Sequence, residues 1–477
     1  TDAPSPNADN ADNVVVFATP GQAFTDTITV EMSSPGGGSI RYSTDGQAPS
    51  LFNGKTYDGP ITLATTSLIS ASTGGGPFAT QAFIKVHPEL TKRNSNIPIV
   101  VAVAEGRLNQ TTLKEMAIAI LEPGEDGRAR LLSPFALSSR GGIRTRGETS
   151  NGFPKKPLRM EFWDTRGEDR DLSPLGMAPE GDWVMNARYS FDRTLMHNAW
   201  IYELSNQLGQ WAPHTRFVEL YLNDSNDVVT EADYQGIYTF MENNQRGGDR
   251  VNVERMGVNA SAEPEITGGY LFKKDKSDPG TWSISGGSEP LQMVYPPEEE
   301  RTERKAQGDW LSNYLDEMLD AIRTHGSDPE QGYPKYINVR SWLDHHMMNF
   351  LTNNVDAMRI SAYFHKPRGG KVFAGPIWDF DRSAGGPSDG RIANPLQWGD
   401  GGGGTAFFVR GNHGTPVWWE ELFNNADFTQ EWIDRWYQLR QTEMVTTPWD
   451  LTPLPAFSDA SISRIIDHMA TELAESQ

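Results

Sequence analysis

Cysteine is absent from all 477 residues. That excludes disulfides, thiolate metal sites and cysteine nucleophiles. No apolar run approaches the roughly 18–20 residues that a membrane-spanning helix needs. Positive charge is in short supply: Lys and Arg number 42 against 63 Asp and Glu, a net −21. Such a chain repels phosphate backbones, which excludes general nucleic-acid binding but leaves room for a local basic pocket. No repeat with a period of 20–50 residues is visible. Nor is a signal peptide, and Thr1-Asp2-Ala3-Pro4 reads as a processed or trimmed start.

What is present suits a folded protein of two to four domains. Hydrophobic residues make up 37%, with 14 Trp, 21 Phe and 14 Tyr for the core, while 46 Gly and 31 Pro predict long and numerous loops. Residues 1–13 are small, polar and Pro-containing, and read as a flexible lead. From Val14 to Pro88, short β-branched runs alternate with Gly and Pro turns, predicting an immunoglobulin-like β-sandwich. Residues 89–96 read as a polar linker, and a second domain, 97–477, opens on strands. Helical periodicity appears over 193–209 through Leu195, Ala199, Tyr202 and Leu208. Strands follow around 217–223 and 235–242, then helices around 311–323 and 339–354, then strands at 361–366 and 371–378, and finally Trp-rich helices. The fold class is therefore α+β: a β-rich lobe with one inserted helix, then a helical lobe. Protein kinases share that two-lobed order.

The residues that carry chemistry concentrate in two strings, Asn354-Val355-Asp356-Ala357-Met358-Arg359-Ile360-Ser361 and Gly375-Pro376-Ile377-Trp378-Asp379-Phe380-Asp381-Arg382. One Asp follows a helix and a pair of Asp follows a strand. Phosphoryl transfer needs one carboxylate on the attacking group and another on Mg²⁺. Asp379 and Asp381 together offer hard oxygen donors of the kind Mg²⁺ takes. A single Asp of this kind reads as a turn former, and it is the whole pattern that favours chemistry. The adjacent His345-His346 do not share a helix face and fit no zinc spacing, so they read as packing residues. Trp418, Trp419, Trp432 and Trp436 read as core rather than a sugar platform. The Gly399–Gly404 tract reads as a flexible loop, with a lid as the sharper alternative.

Asp356 with Arg359, Ser361 and Tyr363, followed by the Gly375–Ser383 string, resembles the signature of the CotH (spore coat protein H-like) kinase family. Upstream motifs agree: Arg144-Thr145-Arg146-Gly147-Glu148-Thr149-Ser150, Phe153-Pro154-Lys155-Lys156-Pro157, Asp182–Ala187, Asp192–Asn198, Thr215–Leu220, Gln235–Tyr238 with Glu242, and Gly268-Gly269-Tyr270. The resemblance spans about residues 97–445. Residues Ile40–Gly46, Pro49, Tyr57 and Gly59-Pro60-Ile61 resemble the chitobiase/hexosaminidase C-terminal-type module, a spacer in most settings and a carbohydrate contact in the sharper reading.

The CotH resemblance implies an atypical kinase-like fold binding ATP and Mg²⁺, with Asp356 as catalytic base beside Arg359 and with Asp379 as metal ligand. Asp381 is added to the metal set on chemical grounds. The loop through Arg146, Gly147 and Ser150 would cover the phosphates, with Gly147 letting backbone approach them. Lys155 or Lys156 would face the phosphates, with parity along the following strand favouring Lys156. Glu203 would pair with that lysine, and Glu242 belongs to the matching motifs. Typical kinases place a metal-binding Asn at the position of Ser361, a weaker ligand, and His197 stands where the family often has Arg. The expected function is an ATP- and Mg²⁺-dependent phosphotransferase, secreted or at a bacterial cell surface, acting on a surface, coat or matrix protein. Ligase or nucleotidyl transfer at the same site, and a non-catalytic scaffold or adhesin, are the alternatives. The C-terminal helical pattern, with apolar positions 462, 465, 466, 469 and 473 and no Gly or Pro stop, leads us to expect that the native chain extends beyond residue 477.

Overall fold

A computed structural model describes residues 14–475 apart from 51, 75, 188, 190, 226–227, 277–280, 298–299, 387–416 and 441–454. The 1–13 lead and the Gly399–Gly404 tract fall outside the described residues. The architecture mixes α and β throughout. Mutual contacts divide the chain into two units: Thr1–Ala187 with Thr215–Asn243 and Thr471–Gln477, and Arg188–His214 with Asn244–Ala470.

The first unit begins with a five-stranded sheet in the order Gln22–Phe24, Ala79–Lys85, Ser67–Thr73, Ile40–Ser43, Lys55–Thr56. Two small two-stranded sheets, Val16–Phe17 with Met32–Ser33 and Ile28–Val30 with Ile61–Leu63, share its core. Strand alternation explains how one sheet serves two cores. Ile69, Ala71 and Phe83 enter this core, while their neighbours Leu68, Ala82 and Ile84 point the other way, into a second one.

That second core is shared with a closed seven-stranded barrel in the order Ile99–Ala104, Lys114–Leu121, Leu137–Thr145, Leu158–Trp163, Asp182–Asn186, Tyr234–Glu242, Thr215–Asn223. The barrel closes through parallel pairing of Ile99–Val103 with Glu219–Asn223. Val100, Ala102, Ile118, Met160, Phe162, Trp183 and Phe240 fill its interior. Ile99, Val101, Val103, Ala117 and Ala119 face outward onto Leu68, Ala82, Ile84 and Val86. The run Ile99-Val100-Val101-Ala102-Val103-Ala104 is apolar without alternation because both of its faces are buried. Strand Leu158–Trp163, with Leu158, Met160 and Phe162 inside and the residues between them only half-buried, does alternate.

Residues 89–96, expected as a linker, are structured. Pro88–Lys92 forms a 3₁₀ turn with Leu90 buried in the shared core, and Asn94–Ser95 pairs with Ala129–Arg130.

The second unit is built on a five-stranded antiparallel sheet in the order Ser283–Gly286, Glu289–Tyr295, Tyr270–Lys274, Ala362–Lys366, Phe373–Ala374. Helices Lys305–His325, Val339–Leu351, Val417–Asn424 and Ala426–Arg440 accompany it. Trp342, Trp418 and Trp419 are almost fully buried; Trp342 meets both of the others and Phe364, and Trp418 meets Phe364, at ring distances of 4.8–5.9 Å. His345 stacks on Trp419, and the Trp432 Nε1–H donates to His346 Nδ1 at 3.1 Å. Both imidazoles are thus packing residues, and burial lowers the His345 pKa to about 4.

The helix expected over 193–209 runs only from His197 to Gln207. Leu195 has φ +65°, outside any helix, and the Asp192 carboxylate accepts from Thr194 and from the His197 N–H at the first turn. The sequence order places this helix among the barrel strands, yet its contacts put it in the second unit.

Candidate functional site

Asp356 is positioned by the end of helix Val339–Leu351. Asn349 donates to the His345 carbonyl (2.9 Å), Asn354 Nδ2 donates to Asn349 Oδ1 (3.1 Å), and the Asp356 N–H donates to Asn354 Oδ1 (3.1 Å). Short Asn side chains replace backbone partners where the helix stops, as expected of these residues at turns. Two backbone bonds then zip this loop to the next: Ala384 N–H to Thr352 O (2.7 Å) and Val355 N–H to Arg382 O (3.3 Å). The result sets the Asp356 side chain, 11% exposed, between two guanidiniums. Arg359 donates to Oδ1, and Arg382 Nη1 lies 3.5 Å from Oδ2.

The loop carrying Asp379 and Asp381 is held by helix His197–Gln207. The Asp379 N–H donates to the Tyr202 hydroxyl (3.0 Å), and the Phe380 N–H donates to Asn198 Oδ1 (2.7 Å). His197 Nδ1 lies 3.3 Å from the Asp381 carbonyl. Residues 198 and 202 are four apart and so share one helix face. Tyr202 also stacks on Trp378. Five non-glycine residues in this region have positive φ: Asn353, Met358, Ser361, Asp379 and Ala384. Such conformations cost about 1–3 kcal/mol each and persist where the surroundings over-determine them, which is typical of functional loops.

Among the described residues, the buried donors here without an acceptor include Asn198 Nδ2, whose Oδ1 is committed to Phe380, and Arg359 Nε. A buried donor left unsatisfied costs about 1–3 kcal/mol, so each is a position where an acceptor would be stabilising. Among the described residues no cluster of three or more His, Cys, Asp or Glu forms a metal site.

The remaining sequence candidates fall in two groups. In the first unit, Gly147 has φ +87°, and a Cβ there would collide with Ser150 Oγ, so glycine is required twice over. The Arg146 N–H donates to the Pro157 carbonyl (2.9 Å). Lys155 donates to the Ile237 carbonyl and sits 4.7 Å over the Tyr238 ring, and burial lowers its pKa to about 8. Lys156, which strand parity favoured, donates to Asn151 O near the surface of its loop. The strand begins only at Leu158, beyond Pro157, so Lys156 lies outside the strand whose parity was used. Glu242 ends strand Tyr234–Glu242 with its side chain fully buried. In the second unit, Glu203 is exposed and accepts from Gln207 at 2.9 Å, an ordinary helix-surface pair.

Comparison with family models matches residues 143–448 to the CotH kinase protein family. The chain belongs to the CotH kinase family. It is thus a kinase-like protein, and the match covers every site residue named above. The matched segment begins inside strand Leu137–Thr145, so barrel strands Ile99–Ala104 and Lys114–Leu121 precede it. A search of curated proteins finds no significant match.

Sequence reasoning missed Arg382, Asn198 and Tyr202 as site-building residues. Tyr202 entered as an apolar helix position and Asn198 as part of a motif. The available signal was their i, i+4 spacing, with a polar end on each.

Proposed function

We propose that this CotH-family protein is an ATP- and Mg²⁺-dependent phosphotransferase of atypical, two-lobed kinase-like fold, acting on a protein outside the bacterial cell. The observation that carries the reading is the pair of acceptor-less buried donors, Asn198 Nδ2 and Arg359 Nε, beside Asp356 and the Asp379 loop. In this reading Asp379 and Asp381 hold the cation, with Ser361 as a weaker neighbour. Mg²⁺ when bound supplies charge neutralisation to the phosphates. Asn198 and Arg359 bind phosphate oxygens. Asp356, with one oxygen on Arg359 and the other near Arg382, orients the attacking hydroxyl through its remaining lone pairs. In the first unit, Lys155, its amine desolvated, and the Arg146–Ser150 loop are the residues that the family resemblance offers to phosphate. The N-terminal sheets are read as an immunoglobulin-like module of the chitobiase type, with any carbohydrate contact made there.

The test is mass spectrometry of the full chain after incubation with ATP and Mg²⁺, alongside calorimetric ATP binding. Phosphate addition is expected. Addition of AMP would redirect the assignment to nucleotidyl transfer, and absence of both ATP binding and modification would leave a scaffold. Asp379→Asn is expected to lose Mg²⁺-dependent ATP binding. Asp356→Asn is expected to keep binding and lose turnover. Full activity in both variants would overturn the roles.

A further inference from the structure

A cavity of about 220 Å³ lies within the first unit, where the N-terminal five-stranded sheet meets the outer face of the barrel. None of the residues assigned to phosphate transfer lines it. Asp45 and Leu68 line it from the sheet, and Val103, Glu105, Glu115 and Arg140 line it from the barrel. Leu68 and Val103 belong to the faces that sheet and barrel turn towards each other. Glu105 follows Val103 by two residues, just past strand Ile99–Ala104, and its N–H donates to the Glu115 carbonyl at 2.8 Å. Arg140 lies under the Asp45-Gly46 turn: Gly46 has φ +76°, and a Cβ there would stand 3.2 Å from the Arg140 side chain.

Three observations fix the kind of occupant. The first is an unmet donor. Arg140 is 8% exposed; its Nη2 is paired with Glu115 and its Nη1 donates to the Asp164 carbonyl at 3.4 Å, while its Nε–H is buried without an acceptor. The second is an excess of acceptors. Asp45, Glu105 and Glu115 set three carboxylates against that one guanidinium, and Glu105 is exposed and takes no hydrogen bond among the described residues. An anion is repelled by such a wall, and an ammonium leaves the Nε–H unmet. The acids do not gather for a metal ion either, since among the described residues no three His, Cys, Asp or Glu form a group that could hold one. A hydroxyl gives to a carboxylate while accepting from a guanidinium, and so answers both demands. The third is size and surface. The volume exceeds the roughly 150 Å³ that accommodates a benzene ring. Leu68 and Val103, both almost fully buried, add an apolar side.

We propose that this cavity binds one uncharged sugar ring, its hydroxyls shared among Arg140 Nε–H, Glu105 and Asp45, and its C–H groups on Leu68 and Val103. The assignment rests on the carbohydrate contact read for the N-terminal sheets and gives that contact a place, which the barrel completes through Glu105 and Arg140. It is independent of phosphate transfer.

The experiment is ligand-observed NMR titration of the full chain with the methyl glycosides of D-glucose, D-galactose and D-mannose, each beside its uronate and its amino sugar. Saturable binding of at least one neutral glycoside is expected at or below about 20 mM, with its anionic and cationic counterparts weaker. Glu105→Ala removes an exposed carboxylate and should weaken that glycoside at least about tenfold, the loss of a hydrogen bond to a charged group, with the thermal melting of the chain unchanged. Unchanged affinity in Glu105→Ala would overturn the site and leave the carbohydrate reading of the N-terminal sheets standing. Binding of no glycoside would overturn both. Tighter binding of a uronate or an amino sugar than of its neutral parent would overturn the proposal by showing that charge, not shared hydroxyls, selects the occupant.

Discussion

At the scale of single residues, burial sets measurable properties. Lys155 has its pKa lowered from an ordinary 10.5 to about 8 by desolvation. Between those values the unfolded chain holds a proton that the folded chain has released, so stability rises with pH across roughly pH 8 to 10.5. Below pH 8 the full cost of a buried ammonium is present, of order 3 kcal/mol at about 1.4 kcal/mol per pH unit. Lys366, similarly buried, adds to the same window. Lys155→Met should flatten the rise without abolishing it, as measured by denaturant unfolding from pH 7 to 10.5. An unchanged slope would show that the Lys155 amine is solvated. At the Asp379 loop, Asn198→Ala removes the acceptor for the buried Phe380 N–H. A loss of about 1–3 kcal/mol in stability is expected. ATP binding should fall more steeply than it does in Tyr202→Phe, which removes only a phenolic acceptor. Asp379 itself sits at φ +62°, where Asn is tolerated far better than β-branched residues. Asn is therefore the substitution that separates loss of charge from loss of conformation.

At the scale of elements, helix Val339–Leu351 does two jobs with opposite faces. One end leads through Asn349 and Asn354 to Asp356. Its middle carries Asp344, fully buried, which takes Arg435 Nε at 2.8 Å and Nη2 at 3.1 Å from helix Ala426–Arg440. Breaking a buried, two-pronged pair on one side leaves an uncompensated charge. Asp344→Ala should destabilise by about 3–5 kcal/mol, while Asp344→Leu with Arg435→Met should recover most of that. Calorimetric melting of the two variants decides it; equal losses would mean that the pair is not coupled. The site loop depends on this helix, so Asp344→Ala should also lower activity at temperatures where the double variant retains it.

At the scale of the whole chain, the N-terminal sheets and the barrel share a core. Deleting residues 1–92 would strip Leu68, Ala82, Ile84, Val86 and Leu90 from the outward face formed by Ile99, Val101, Val103, Ala117 and Ala119. An exposed apolar patch of that kind drives association. The truncated chain is expected to aggregate or melt well below the full chain in light-scattering and thermal scans. A soluble, monomeric truncation with unchanged melting would show the two parts to be independent. The sequence by itself determined a good deal: the order of strands and helices, the absence of thiol chemistry and of an apolar membrane-length run, and the motif strings of a CotH-family protein. Those properties are local, since periodicity, turn residues and short motifs are written in neighbouring positions. Only the tertiary structure decided that the 99–104 run is buried on both faces, that Lys155 has a desolvated amine, and that the 197–207 helix joins the unit containing Asp356. It alone placed Arg382 against Asp356 and left Asn198 Nδ2 without an acceptor. Each of these turns on contacts between residues tens to hundreds of positions apart, and desolvation and hydrogen-bond partnership are properties of the packed surroundings, which no local pattern encodes.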